Sequence, residues 1–260
     1  MAQLWKGAPV AAAITEQLAL RADALKAKGI VPTLAIVRVG ENADDLTYES
    51  AAIKRCDKIG IAVKCFACTA DDLLPTIDGI NRDSAIHGCL LLRPLADKAL
   101  EQAACERLTP KKDMEVPPCT AQACMELLDF YDVTLPGKQI CVVGRSAVVG
   151  KPVRELLEQR GAVVTVCHSK MEDLPGTCRK AEVLVSAVGK AGLITAECVS
   201  AGQLIVDVGI NATADGKLCG DVDFAAAEPL VAAITPVPGG VGNVTTAVLC
   251  KHLIEAAERT

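Results

Sequence analysis

The chain has 260 residues and a net charge of −5, and it is 51% hydrophobic, 23% charged and 2% aromatic. That length favours two domains with full cores, and the composition excludes a disordered chain. The mild acidity, with no dense Lys/Arg stripe and few aromatic platforms, argues against a nucleic-acid partner.

No apolar run reaches the roughly 18 residues that suggest a membrane-spanning helix. Residues 1–6 lack the charged-then-apolar order of a signal peptide. Thirteen cysteines, an odd number, point to reduced thiols and a cytoplasmic setting. Only Cys65 and Cys68 form a CxxC pair, and no second pair completes a zinc site, so no metal is expected. Both read as small core residues on opposite faces of a strand.

In chain order, apolar spacing of three and four predicts a helix over 9–28, stopped by Gly29. A short apolar strand follows at 33–40. Asp44 or Asp45 is a candidate cap for a helix ending before Gly60. The segment 62–69 reads as a strand, 71–83 as a helix and 86–95 as a buried strand. This alternation marks a parallel α/β layer. Periodicity stops in PKKDMEVPP (110–118), where a domain boundary is placed. A helix over 121–131 opens the second half. Strands at 138–144, 162–168, 182–189 and 203–209 are nearly continuous apolar runs, as expected of strands buried on both faces. A helix spans 149–161, and another spans 245–259 after the Gly-rich turn PGGVG. The fold class is therefore α/β in two domains, a Rossmann-like parallel sheet and a smaller α/β substrate domain.

The strand KQICVVG runs into GRSAVVGKP and then a helix. A turn at a strand's carboxyl end that opens a helix suits a pyrophosphate, because first-turn N–H groups lack partners and the helix dipole favours anions. Gly144 lets the chain turn, Gly150 allows close helix packing, and Ser146 can donate to a phosphate. The spacing fits neither the P-loop, since Pro152 follows Lys151, nor the nucleophile elbow, since Val148 replaces its second Gly. The next strand ends in CHSK. His168 and Ser169 stand where an acidic residue would favour NAD, and Arg145 is nearby; that set suits a 2′-phosphate and NADP as cofactor.

With VVGRSAVVGKP, TVCHS, AVGKAG, VDVGIN, GDVDF and ITPVPGGVG in this order, the whole chain resembles the FolD family of bifunctional methylenetetrahydrofolate dehydrogenases/methenyltetrahydrofolate cyclohydrolases. The resemblance implies a cleft between the two domains, a homodimer, NADP, and a tetrahydrofolate derivative as substrate. It divides the chain into a folate domain, 1–118 plus the C-terminal helix 241–260, and an NAD(P)-binding domain, 119–240. Ile210 would lie against the cofactor, Tyr48 against the folate, and Glu115 would anchor the pterin.

The N-terminal half departs from the family pattern. The family's catalytic Lys, four residues after its Tyr, is here Ala52. Lys54 is two residues further, about 200° around the helix. Leu92 replaces the supporting Gln of the strand motif, Glu115 replaces an Asp in KDMEV, a loop before PPCTA is missing, and Asn243 replaces a Pro. These changes cluster on the folate side. They point to a dehydrogenase whose cyclohydrolase step is weak or lost. A full bifunctional enzyme, a non-catalytic dinucleotide-binding paralogue and an oxidoreductase with another substrate all remain open at this level.

Overall fold

A computed structural model describes residues 1–213 and 215–260. It divides into two compact units, Met1–Ala11 with Pro117–Thr245, and Ala12–Val116 with Thr246–Thr260.

A short strand β1 (Gln3–Leu4) and the helix α1 (Gly7–Ala27) open the chain. The unit built on Ala12–Val116 then alternates β2 (Thr33–Val39), α2 (Ala43–Ile59), β3 (Ala62–Cys68), α3 (Leu73–Arg82), β4 (Gly88–Leu91) and α4 (Lys98–Arg107). Its sheet is parallel throughout, in the order β3-β2-β4. On one face, Leu73, Ile77 and Ile80 of α3 recur at helical spacing and pack with Ala35, Val37, Cys89 and Leu91. Fully burying each such side chain contributes about 1.5–3 kcal/mol.

Three details differ from the sequence expectation in this unit. The cap of α2 is Asn42, whose side chain accepts from the Asp44 N–H at 3.0 Å; Asp44 and Asp45 sit in the first turn, where they favour the helix dipole. Pairing in β4 ends at Leu91, short of the expected 86–95, and Pro94 has no N–H with which to continue a ladder. The helix α4 had no clear periodicity, with Ala104 its one fully buried residue. It starts instead on a local signal, the Asp97 carboxylate accepting from the N–H groups of Ala99 and Leu100.

The other unit follows with α5 (Cys119–Phe130), β5 (Gln139–Val143), α6 (Gly150–Gln159), β6 (Val163–Cys167), α7 (Leu174–Arg179), β7 (Val183–Ser186), β8 (Leu204–Asp207), the hairpin β9 (Asn211–Ala212) and β10 (Leu218–Cys219), α8 (Phe224–Ala227) and β11 (Ala233–Ile234). The final helix α9 (Gly242–Ala257) crosses the division at 245. Six strands form one parallel sheet, ordered β1-β11-β8-β7-β5-β6.

This order corrects two expectations. The strand β6 lies at the sheet's edge, so Val163 is 49% exposed and burial alternates along it. Residues 1–11 lie with this unit rather than with the N-terminal half. There β1 pairs with β11, Trp5 stacks on Tyr131 at 5.0 Å between ring centroids, and the Tyr131 hydroxyl donates to the Lys6 carbonyl.

Candidate dinucleotide site

The strand register brings the key turns to one edge of the six-stranded sheet. Val143 aligns with Cys167 on β6 and with Ser186 on β7, and Ser186 aligns with Asp207 on β8. The residues that follow therefore leave the sheet together at its carboxyl edge. The chain passes from β5 to β6 on one side and returns to β7 on the other, which makes β5 the point where strand order reverses. Ligands of open α/β sheets bind at such a point.

A cavity of about 200 Å³ opens there. Gly144, Arg145 and Ser146 line it from the turn after β5, His168, Ser169 and Lys170 from the turn after β6, and Ala187 and Val188 from the turn after β7. Gly144 has φ +125°, and a Cβ on it would overlap the Ala187 carbonyl. A Cβ on Gly150 would in turn lie 2.6 Å from the Gly144 carbonyl carbon. Both glycines are thus required by close backbone approach, one turn against the next and the helix α6 against the first turn.

Ser146 Oγ accepts from the N–H groups of Val149 and Gly150 at 3.2 and 3.3 Å, fixing the start of α6. A hydroxyl accepting in this way keeps its own proton to donate to a ligand. His168 Nδ1 accepts from the Lys170 N–H at 3.3 Å, so a neutral ring carries its proton on Nε2. The lining thus combines a guanidinium, an ammonium, an imidazole and two hydroxyls, with no carboxylate among the eight residues. Its chemistry is that of an anion cradle.

Of the seven positions expected to hold cofactor, five line this cavity: Gly144, Arg145, Ser146, His168 and Ser169. Gly150 lies directly behind Gly144. Ile210 is outside the lining, 64% exposed on the turn after β8. Lys170, Ala187 and Val188 were not singled out in the sequence. Lys170 was legible as the fourth letter of CHSK, whereas Ala187 and Val188 enter through strand pairing alone.

The remaining candidates lie in the other unit. Tyr48 is half-buried on α2, while Ala52, one turn later, is fully buried and Lys54 is exposed. The ion pair between Arg38 Nε on β2 and Glu49 at 3.2 Å fastens the turn that bears Tyr48. Glu115 is half-buried, and its N–H donates to Asp113 at 2.9 Å. Its segment runs beside β4, with the Cys89 N–H donating to the Lys112 carbonyl and the Met114 N–H to that of Cys89. Lys112 Nζ anchors it further by donating to the carbonyls of Ile80, Asn81 and Asp83 at the end of α3. Partial burial there lowers the pKa of the Lys112 amine. Leu92 is buried.

Residues 118–260 match the tetrahydrofolate dehydrogenase/cyclohydrolase NAD(P)-binding domain, and residues 5–115 match the tetrahydrofolate dehydrogenase/cyclohydrolase catalytic domain. The chain belongs to this family. A bifunctional protein FolD from Carboxydothermus hydrogenoformans is 45% identical over 281 aligned positions, covering 99% of this chain and 98% of the relative. That alignment is longer than the chain's 260 residues, so the relative carries segments absent here. The bifunctional FolD of Campylobacter jejuni superposes with a TM-score of 0.94 at 34% identity, covering 100% of this chain and 99% of that one. A Trypanosoma brucei methylenetetrahydrofolate dehydrogenase-cyclohydrolase, solved with NADP and an inhibitor, gives 0.93 at 32% identity, covering 99% and 98%.

The cysteines need one correction. Cys65 is exposed rather than a core residue, and Cys68 only half-buried, because β3 is an edge strand. All thirteen are free thiols. Among the described residues, no group of three or more His, Cys, Asp or Glu is placed to hold a metal ion, and no helix is long and apolar enough to cross a membrane.

Proposed function

We propose that this family member is an NADP-dependent 5,10-methylenetetrahydrofolate dehydrogenase in which the cyclohydrolase step is weak or lost. The observation that carries the second part is position 52, where a buried methyl group stands in place of the family's catalytic amine. A methyl group moves no proton, and general acid–base catalysis typically contributes about 10²–10⁴-fold. Lys54 offers no substitute: it lies about 200° around α2 from Ala52, and its side chain is exposed.

The dehydrogenase half asks less of side chains, since the cofactor carries that chemistry and the protein orients it. Bound NADP would accept hydride from the methylene carbon between N5 and N10 of tetrahydrofolate. Gly144 and Gly150 let backbone N–H groups approach the pyrophosphate. Ser146 donates to it, and Arg145, His168, Ser169 and Lys170 fit a 2′-phosphate. An NAD-selective site would carry an acidic residue at the end of β6 instead. Ile210, exposed beyond β8, supplies an apolar surface for the nicotinamide. Tyr48 positions the folate and Glu115 accepts hydrogen bonds from the pterin. We further propose a homodimer working in the cytoplasm.

The test is an assay with 5,10-methylenetetrahydrofolate and NADP that follows NADPH and the methenyl product separately. NADPH with accumulating methenyl product is expected. NADPH without accumulation, after spontaneous hydrolysis is subtracted, would overturn the reading of Ala52. No NADPH at all would overturn the dehydrogenase.

A further inference from the structure

AVGKAG (187–192), VDVGIN (206–211) and GDVDF (220–224) lie apart in the sequence, and one side chain joins them. Asp221 is fully buried. One of its carboxylate oxygens accepts from Ser186 Oγ at 3.2 Å and from the N–H groups of Val188 and Gly189 at 2.7 and 3.2 Å. The other accepts from the Lys190 N–H at 2.9 Å and from Asn211 Nδ2 at 3.0 Å. An ionised carboxylate only accepts, so it suits a surrounding made only of donors.

Asp207 holds this residue from behind. Its carboxylate accepts from the N–H groups of Gly209, Asp221 and Val222 at 2.9, 3.1 and 2.9 Å. The two aspartates also explain two glycines. A Cβ on Gly209 would lie 2.6 Å from the Asp221 nitrogen, and one on Gly220 would lie 2.6 Å from Asp207 Cγ.

The turn that Asp221 organises faces the anion cradle. Ala187 and Val188 line the cavity, and Ala187 abuts Gly144. Asn211, held by the same carboxylate, follows Ile210 directly. A dinucleotide lying across this edge with its adenosine at β6 runs its other half toward β7 and β8. That is the side Asp221 shapes.

We propose that Asp221 is a positioning residue for the nicotinamide half of the cofactor, holding the turn at 187–190 and the turn at Ile210 in one preformed surface. The proposal rests on the NADP reading above. Asp221→Asn is nearly isosteric but turns N–H groups toward N–H groups. Binding is measured by calorimetry with two probes, NADP and adenosine 2′,5′-bisphosphate, which lacks the nicotinamide half.

Hydrogen bonds to charged groups are strong enough that D221N should weaken NADP by about tenfold to a hundredfold. The bisphosphate affinity should stay within about twofold, because its cradle at Arg145 and His168–Lys170 makes no use of Asp221. Equal losses for both probes, or no loss for either, would overturn the role of Asp221. Failure of the unmodified protein to bind NADP would instead remove the cofactor reading. Should D221N not fold, N211A and S186A, each deleting one donor, carry the test: a loss of roughly threefold or more on NADP alone is expected, and no split between the probes overturns the proposal.

Discussion

Gly144→Ala is the sharpest test of the cradle's geometry, because two separate costs are visible at one atom. The residue sits at φ +125°, where a side chain costs on the order of 1–3 kcal/mol. The new Cβ would also lie 2.7 Å from the Ala187 carbonyl carbon, and closer still to its oxygen. That neighbour is backbone, so no rotamer change relieves the overlap, and overpacking of this kind costs about 1–3 kcal/mol. A combined loss of roughly 3 kcal/mol lowers Tm by about 6–12 °C for a chain of this size. Whichever turn yields, the Ser146 hydroxyl shifts against a bound phosphate or the turn at Ala187 and Val188 shifts against the rest of the cofactor, so NADP affinity should fall at least about tenfold. Gly137→Ala is the control: its φ is +75° and a Cβ there meets open space, so only the backbone term of about 1–2 kcal/mol remains. Differential scanning calorimetry and an NADP titration of both variants decide the matter. If G144A keeps its Tm within about 2 °C and its affinity, the cradle does not depend on this close approach and the argument fails.

Lys170→Ala removes an exposed cation from the turn after β6. NADP should weaken by about twofold to fivefold, the usual worth of one exposed ion pair, with NAD unchanged; equal weakening of both would place Lys170 away from the 2′-phosphate. Burial raises the Asp207 carboxyl to about 6, against three backbone donors that pull it down. Its folded pKa thus exceeds the unfolded value of about 3.9, so the stability that Asp207 contributes is lost as pH rises through about 4 to 6, with little further change above. Asp207→Asn abolishes that titration. Urea denaturation of both proteins should show the wild type's stability relative to D207N falling across this window, and a rise there would refute the assignment.

Where a residue's role depends on its immediate neighbours, the chain could be read directly. Helical spacing of Leu73, Ile77 and Ile80 located α3, and the strand-to-turn-to-helix run at 138–161 located the turn between β5 and α6, where Gly144 and Gly150 meet the close backbone approach that excludes a side chain. That Ala52 stands one turn after Tyr48 on α2 was equally visible, because its distance from Tyr48 is set by the helix itself.

Other features depend on which strands become neighbours, and that is a property of the whole fold. The run AVVTVC looks like a doubly buried strand, yet it takes the sheet's edge and exposes Val163. The first residues look like part of the N-terminal half, yet backbone pairing with β11 and stacking of Trp5 on Tyr131 carry them to the other unit. Asp221 shows the same division most clearly. The letters GDVDF contain nothing that distinguishes a buried acceptor from a surface charge. Its five donors come from two other segments, at 186–190 and 211, and meet only when β7 and β8 align at one edge. Local backbone preferences act over a few residues and leave a trace in sequence; the partner of a buried charge is chosen by tertiary pairing and leaves none.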